Sequence, residues 1–441
     1  MKSIIKKIFR ILGLEVSRYN PGHKSKESEV PVIDQKYLFD TYITIADTLV
    51  KIGRYEDGAE MYKKAIGIQP ASPYGYSVGM KLARQGNFND DFYRSLLKVI
   101  KTPEINLMYE TLLKSPEAYH PSKLWLYFMV IHTFQLETGG IENFKRTLNN
   151  NYFNWTTDWN VQPQIQALKE ALHWSDNDLL HAEKSVNDIS TAKPEGYTNE
   201  EWREYTQLLC LLWEFAVNND RLEILKNLKE PMLGNPIGIC YKDNFITQDL
   251  CNSVVEVNTI MEFVTSKPGE KLRIMELGAG HGRVANVLLH AAPNIQVVIV
   301  DIPPTLYVSQ WYLTSLYPGH RIFKFRDFSD YNEIKQEFEA SSIAFLSPAQ
   351  VELLPDRTFD VFINISSLHE MNPGQISMWF DHIDRLCKGL FYTKQWFESD
   401  NYFDGIVIRR EDYPVKPHWK ELLNRTNLIY PRLFETIYKI H

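Results

Sequence analysis

The stretch Lys271–Asp301, KLRIMELGAGHGRVANVLLHAAPNIQVVIVD, reads as strand, glycine turn, helix, strand. Lys271 to Leu277 ends in an apolar run, and Gly278-Ala279-Gly280-His281-Gly282 makes the turn. Arg283 to Ala291 carries apolar residues at helical spacing, and Val297 to Val300 begins a second buried strand. This is one βαβ unit. It sets the turn and the end of the second strand side by side at the C-terminal edge of a parallel sheet, where nucleotide-like ligands bind. A dinucleotide fingerprint would need a third glycine at 283, so that pyrophosphate could approach the helix N-terminus. Residue 283 is Arg, which disfavours a nicotinamide enzyme.

The pattern present is E-x-G-x-G-x-G, from Glu276 through Gly278 and Gly280 to Gly282. It resembles the first motif of class I methyltransferases that use S-adenosyl-L-methionine. The resemblance implies that Gly278, Ala279, Gly280 and Gly282 bring the backbone against the amino-acid and ribose parts of the cofactor, with Glu276 under the turn. Asp301, 25 residues beyond Glu276 at the end of the second strand, fits the carboxylate that takes both ribose hydroxyls, and Ile302 follows it at the cofactor. Without the resemblance these residues are a tight turn and a helix cap before Pro303-Pro304.

Downstream, Ile343 to Leu346 reads as a third strand and Phe359 to Asn364 as a fourth, with a short strand and an amphipathic helix inserted over Arg321–Ala340. The intervening Ser347–Pro355 resembles the methyltransferase segment between these strands, but its usual adenine-binding acid falls at Pro348. Gln350, backbone atoms or Asp327 are expected to replace it, and Asn364 is placed at the same cofactor edge. The fourth strand runs into Ser366-Ser367-Leu368-His369-Glu370-Met371, at the edge that faces the methyl group. His369 can accept a hydroxyl proton at neutral pH, and Glu370 can do so or hold a sugar hydroxyl. The alternative makes His369 a core residue and Glu370 a helix cap.

Gly389 to Trp396 supplies a fifth strand, and Ile406–Ile408 with Leu433–Ile440 are expected to close the sheet with antiparallel strands. Between them the loop Tyr413–Trp419 either covers the substrate, with Trp419 on a sugar ring, or packs as an ordinary loop. A helix is expected over Phe245–Phe263, with Gln248 and Glu256 facing the cofactor or solvent.

Together, residues 236–441 resemble the sugar O-methyltransferase family. The residues that carry this are Glu276 to Arg283, the phrase VDIPPTL at 300–306 followed by QWYL at 310–313, and Asn364 to Met371. The resemblance implies a Rossmann-like α/β domain with a mostly parallel seven-stranded sheet, S-adenosylmethionine as cofactor and a sugar or glycan hydroxyl as acceptor. In that family the position of His369 is more often Gln, which shifts the role of base toward Glu370. No metal is expected, because Asp301 is committed to ribose and no second carboxylate cluster adjoins Glu370.

The rest of the chain is helical in pattern. Its 441 residues allow two or three domains, read as 1–30, 31–230 and 236–441. A net charge of −7 leaves no global basic surface for nucleic acid. Four cysteines without C-x-x-C spacing fit a reducing compartment, and no apolar run reaches the roughly 18 residues of a spanning helix, so a cytoplasmic protein is expected. Residues 1–14 read as a short basic amphipathic helix, either a peripheral membrane contact or a helix docked on the protein's own body. Tyr42, Ile45, Ala46, Leu49, Tyr62, Ala65 and Pro70 occupy tetratricopeptide-like spacing, with the small residues Ala46, Gly58 and Ala65 expected where the two helices cross and a degenerate second unit over Tyr76–Gly86. Residues 90–230 are Trp-rich helices, a structural domain or a site for a protein partner, with a capping box at Thr198–Glu201. Two rival functions stay open: a methyltransferase on a non-sugar acceptor, and a helical interaction protein with an inactive methyltransferase body.

Overall fold

The structure, a computed structural model, describes residues 35–68, 90–148, 161–187, 193, 198–265, 269–292, 294–401 and 404–441. The amphipathic segment 1–14, the second repeat-like unit at 76–86, and Trp155 and Trp159 lie outside the described residues. Phe39–His441 forms one compact unit, which holds both the sheet and the helices packed on it.

The main sheet contains β1 (Leu272–Leu277), β2 (Ile295–Val300), β3 (Ile322–Phe323), β4 (Ile343–Leu346), β5 (Phe359–Ile365), β6 (Cys387–Trp396), β7 (Lys420–Thr426) and β8 (Leu433–Lys439). Their order is β7-β8-β6-β5-β1-β2-β4-β3. Strands β3 to β6 pair in parallel with β1 and β2 between them, while β8 pairs antiparallel with both β6 and β7. The sheet therefore has eight strands where seven are expected, the extra one being the two-residue edge strand β3. Chain order reverses between β1 and β5, which opens a crevice at their C-terminal ends.

Side-chain alternation explains why these runs are almost wholly apolar. Ile274, Val297, Ile299, Phe345 and Ile363 point into one core, and Met275, Val298, Val300, Leu346 and Phe362 into the other. Helices α1 (Gln248–Met261), α2 (Arg283–Ala291) and α3 (Thr305–Leu316) cover the first face, and α4 (Tyr331–Ala340) and α5 (Pro373–Leu386) the second. A slip of one residue would exchange the two cores, so the register is strongly specified.

Two expected elements are corrected. The strand Ile406–Arg409 does not close the main sheet; it pairs with Glu398–Asn401 in a separate hairpin. The closing strand is β7, KELLNRT, whose half-exposed charged pattern suits a sheet edge. The helix expected from Phe245 starts at Gln248, because Asn244–Ile246 pairs with Ile239–Tyr241 and Thr247 caps the helix by accepting from Leu250 N.

The helical region shares the first core. Helices Gln35–Lys51 and Tyr55–Ile68 cross so closely that a Cβ on Gly58 would lie 2.6 Å from Val50 Cγ2, with Ala46 and Ala65 buried. The expected capping box at Thr198 and Glu201 starts helix Asn199–Asn219. Lys145, from this region, is buried and ion-pairs with Glu230 at 2.8 Å, while the Phe144 ring packs against those of His281, Trp311 and Tyr312. The glycine turn is thus braced from behind by the helical half.

Candidate active site

The crevice between β1 and β5 deepens into a cavity of about 430 Å³. Its inner side is the glycine turn. Gly278, Gly280 and Gly282 all have positive φ, and Gly278 N donates to Val300 O at 2.8 Å, joining the turn to the end of β2. A Cβ on Gly278 would lie 2.4 Å from Ser367 Oγ, so any side chain there would collide with the β5 end. At Gly280 a Cβ would meet nothing within 4 Å. The one glycine packs against protein, and the other leaves room for a ligand.

Asp301 faces this turn. Its Oδ2 accepts from Gly280 N at 3.0 Å and its Oδ1 from Ile302 N at 2.8 Å. Burial raises its carboxyl to about 7 despite those two donors. Glu276, under the turn, is pushed up to about 8 by burial, with the Glu256 charge reinforcing the shift and Arg283 opposing it. At neutral pH Glu276 is therefore largely protonated. Among the described residues, Glu276 Oε2, Thr305 Oγ1 and Ser366 Oγ are buried without a hydrogen-bond partner, and all three residues line the cavity. Such atoms are normally satisfied, so their clustering fits a polar ligand held at this spot.

The outer side carries the chemistry. His369 and Glu370 lie in a short 3-10 turn after β5, both buried and both lining the cavity. His369 Nδ1 lies 2.9 Å from Gln395 Oε1, and Gln395 Nε2 in turn donates to Asn364 Oδ1 at 2.6 Å. That orientation of the Gln amide assigns the proton of His369 to Nδ1 and leaves Nε2 as an acceptor, 3.7 Å from Glu370 Oε1. Burial depresses the imidazole to about 4, so it is neutral at physiological pH. Glu370 Oε2 accepts from the indole Nε1 of Trp125 at 2.7 Å. Trp125, Tyr119 and Ser122 bring the helical region into the cavity wall, which Trp379, Trp396 and Tyr430 also line, and the Tyr119 ring meets that of Trp379 edge-on.

Of the residues expected at the site, Glu276, Gly278, Ala279, Gly280, Asp301, Ile302, His369 and Glu370 all line the cavity. Gly282 instead caps α2, and a Cβ there would press on Leu313. Gln350 and Asn364 do not line it. Gln350 Oε1 accepts from Ser347 N and its Nε2 donates to Arg326 O, so its amide is spent on a capping box. Asn364 Nδ2 donates to Leu277 O and Ser367 Oγ, tying β5 to β1. Asp327 is exposed and away from the cavity.

Gln248 and Glu256 are buried but face neither cofactor nor solvent. Glu256 pairs with Arg283 at 2.5 Å and with Lys394. Burial alone would raise its carboxyl, but those two cations hold it below the ordinary range. Trp419 stacks on Phe380 in the second core and cannot meet a sugar. Two further residues line the cavity. Ser366, which the sequence puts at this edge without a role, sits at φ 53° in the left-handed region, and Trp125 reads in the sequence only as one of several helical tryptophans.

The strand order, the turn after β1 and the acid ending β2 define the Rossmann-like class I methyltransferase fold. No protein-family model matches the chain, and no curated protein matches it. Among solved structures, a SAM-dependent methyltransferase from Aquifex aeolicus shares 12% identity over 42% of this chain and 89% of its own, with a TM-score of 0.27. One from Mesorhizobium loti shares 13% over 42% of this chain and 97% of its own, TM-score 0.26. One from Leishmania major shares 15% over 52% and 82%, TM-score 0.28. The fold assignment rests on the strand order and not on these similarities. No helix among the described residues is long and apolar enough to cross a membrane.

Proposed function

We propose that the protein is an S-adenosylmethionine-dependent O-methyltransferase whose acceptor is a sugar hydroxyl. The observation that carries this reading is a single cavity that joins Gly280 and Asp301 on one side to Glu370 and His369 on the other. Asp301 and the turn backbone would hold the ribose and amino-acid parts of the cofactor, and the unpartnered atoms of Glu276 and Thr305 would meet its polar groups. Bound S-adenosylmethionine supplies an electrophilic methyl on a sulfonium. Holding an acceptor oxygen in line with it supplies about 7 to 11 kcal/mol of the barrier.

Glu370 accepts the proton from the attacking hydroxyl, its carboxylate aimed by the Trp125 indole. His369, neutral and with Nε2 free of a proton, offers the acceptor a second hydrogen-bond acceptor beside it. The sugar reading is supported by the mixture around this spot: Trp125, Trp379, Trp396 and Tyr430 give aromatic faces, and Asp400 and Asn401 give polar groups for neighbouring hydroxyls.

The test is transfer of labelled methyl from S-adenosylmethionine to a panel of free sugars, nucleotide sugars, oligosaccharides, phenols and lipids. Turnover confined to the carbohydrate acceptors supports the proposal. Turnover only on phenols or lipids retains the methyltransferase and overturns the sugar.

A further inference from the structure

A second cluster of side chains lies at the opposite edge of the sheet. Asp384 sits near the end of α5, just before β6 begins, whereas the cavity adjoins the ends of the parallel strands. His418 comes from the loop before β7, and His441 follows β8. One ligand-type atom from each, a carboxylate oxygen and two ring nitrogens, lies within 4.8 Å of the other two.

The geometry is close to a binding site. His418 Nε2 lies 2.7 Å and His441 Nε2 4.0 Å from the same oxygen, Asp384 Oδ1. Two ligand atoms on a tetrahedral zinc with bonds of about 2.0 to 2.1 Å stand roughly 3.3 Å apart, between those two values. The imidazole rings stack with centroids 5.6 Å apart and planes inclined by 21°, and His441 Nε2 rests 3.3 Å from the backbone oxygen of Asp384, beside the carboxylate. Trp419 Nε1 donates to Asp384 Oδ1 at 2.7 Å, which orients the carboxylate as outer hydrogen bonds orient metal ligands. The side chains are 30%, 50% and 25% exposed for Asp384, His418 and His441, which gives an ion a path in.

We propose that Asp384, His418 and His441 bind a divalent transition metal of the zinc type, with water completing the shell, and that the ion clips the β7 loop and the segment after β8 to α5. Two imidazoles and one carboxylate suit zinc and its borderline neighbours and do not suit magnesium or calcium, which take oxygen ligands. The ion has a stabilising role there, remote from methyl transfer. The proposal is independent of the acceptor and of the cofactor.

The experiment takes the full chain, stripped of metal with a chelator, and adds zinc chloride alone, followed by calorimetry and by thermal unfolding. The expected result is one equivalent bound and a thermal midpoint raised by about 3 °C at a hundredfold excess over Kd. His418→Ala/His441→Ala should lose both effects, and His320→Ala, an exposed control, should keep them. Because the double variant keeps Asp384 and its bond to Trp419, its circular dichroism should match wild type. A His418→Cys variant offers a thiolate instead and should bind cobalt(II) with a sulfur-to-metal charge-transfer band. No zinc bound by wild type, or equal binding by the double variant, would reduce the trio to a hydrogen-bonded cluster and overturn the proposal.

Discussion

The indole Nε1 of Trp125 donates to Oε2 of Glu370 at 2.7 Å, across 245 residues of chain. A side chain of the helical half thus fixes the carboxylate proposed as the base. Trp125→Phe keeps the ring and removes the donor. Without that donor the carboxylate is no longer held in line with the acceptor, and because a small misplacement of a reacting group is costly, kcat should fall about tenfold or more with the affinity for S-adenosylhomocysteine unchanged. Because the lost donor stabilised the charged form, the acid limb of the pH–rate profile should also move to higher pH. A variant damaged only in packing would not move that limb.

Removing the base itself should cost more. Glu370→Gln is expected to lower kcat by about 10² to 10⁴ while cofactor binding persists, and His369→Gln to lower it less. Single-turnover methyl transfer beside equilibrium binding would separate the two effects. Wild-type turnover in the Glu370→Gln/His369→Ala protein would remove both residues from the mechanism.

Stability should depend on pH through the acids beneath the turn. Burial raises Glu276 to about 8 and Asp301 to about 7, above their ordinary values of 4.5 and 3.8. A raised carboxyl contributes stability that is complete below the ordinary value and is lost as pH rises through the folded one. His369, depressed to about 4, acts oppositely, but only below its ordinary 6.5. Between pH 6.5 and 8 the acids dominate, so the unliganded protein should weaken as pH rises. Glu276→Gln should remove about 1.4 kcal/mol of that loss per pH unit. Urea midpoints across this window check it.

The triad of Glu256, Arg283 and Lys394 gives a further prediction. Glu256→Gln leaves the buried Lys394 and the part-buried Arg283 without their common anion, which should destabilise the fold by about 3 to 5 kcal/mol. Chemical denaturation of the variant beside wild type measures this.

What is legible in the sequence is local. Glu276, Gly278, Gly280 and Asp301 share one βαβ unit, where apolar runs and glycines determine strand, turn and helix together. Gln350 and Asn364 are misplaced by sequence because an amide at a strand end serves equally as a cap or as a ligand contact, and only the three-dimensional partners decide. The closing strand β7 escapes notice because its KELLNRT pattern lacks the apolar alternation that Ile406–Ile408 displays, although the latter belongs to another hairpin. Trp125 is illegible for a different reason. Nothing near it in the chain announces a partner 245 residues away.

Calorimetric binding of S-adenosylhomocysteine measures the cofactor site that Gly280 and Asp301 line together. Wild-type protein should bind with a micromolar Kd, about −8 kcal/mol. Asp301→Ala removes the carboxylate, and Gly280→Arg fills space that is open in the cavity and strains a backbone at φ 60°, so both should abolish binding without unfolding the protein. Folded wild type that binds nothing, or variants that bind as wild type does, would contradict the account and favour an interaction protein built on an inactive methyltransferase fold.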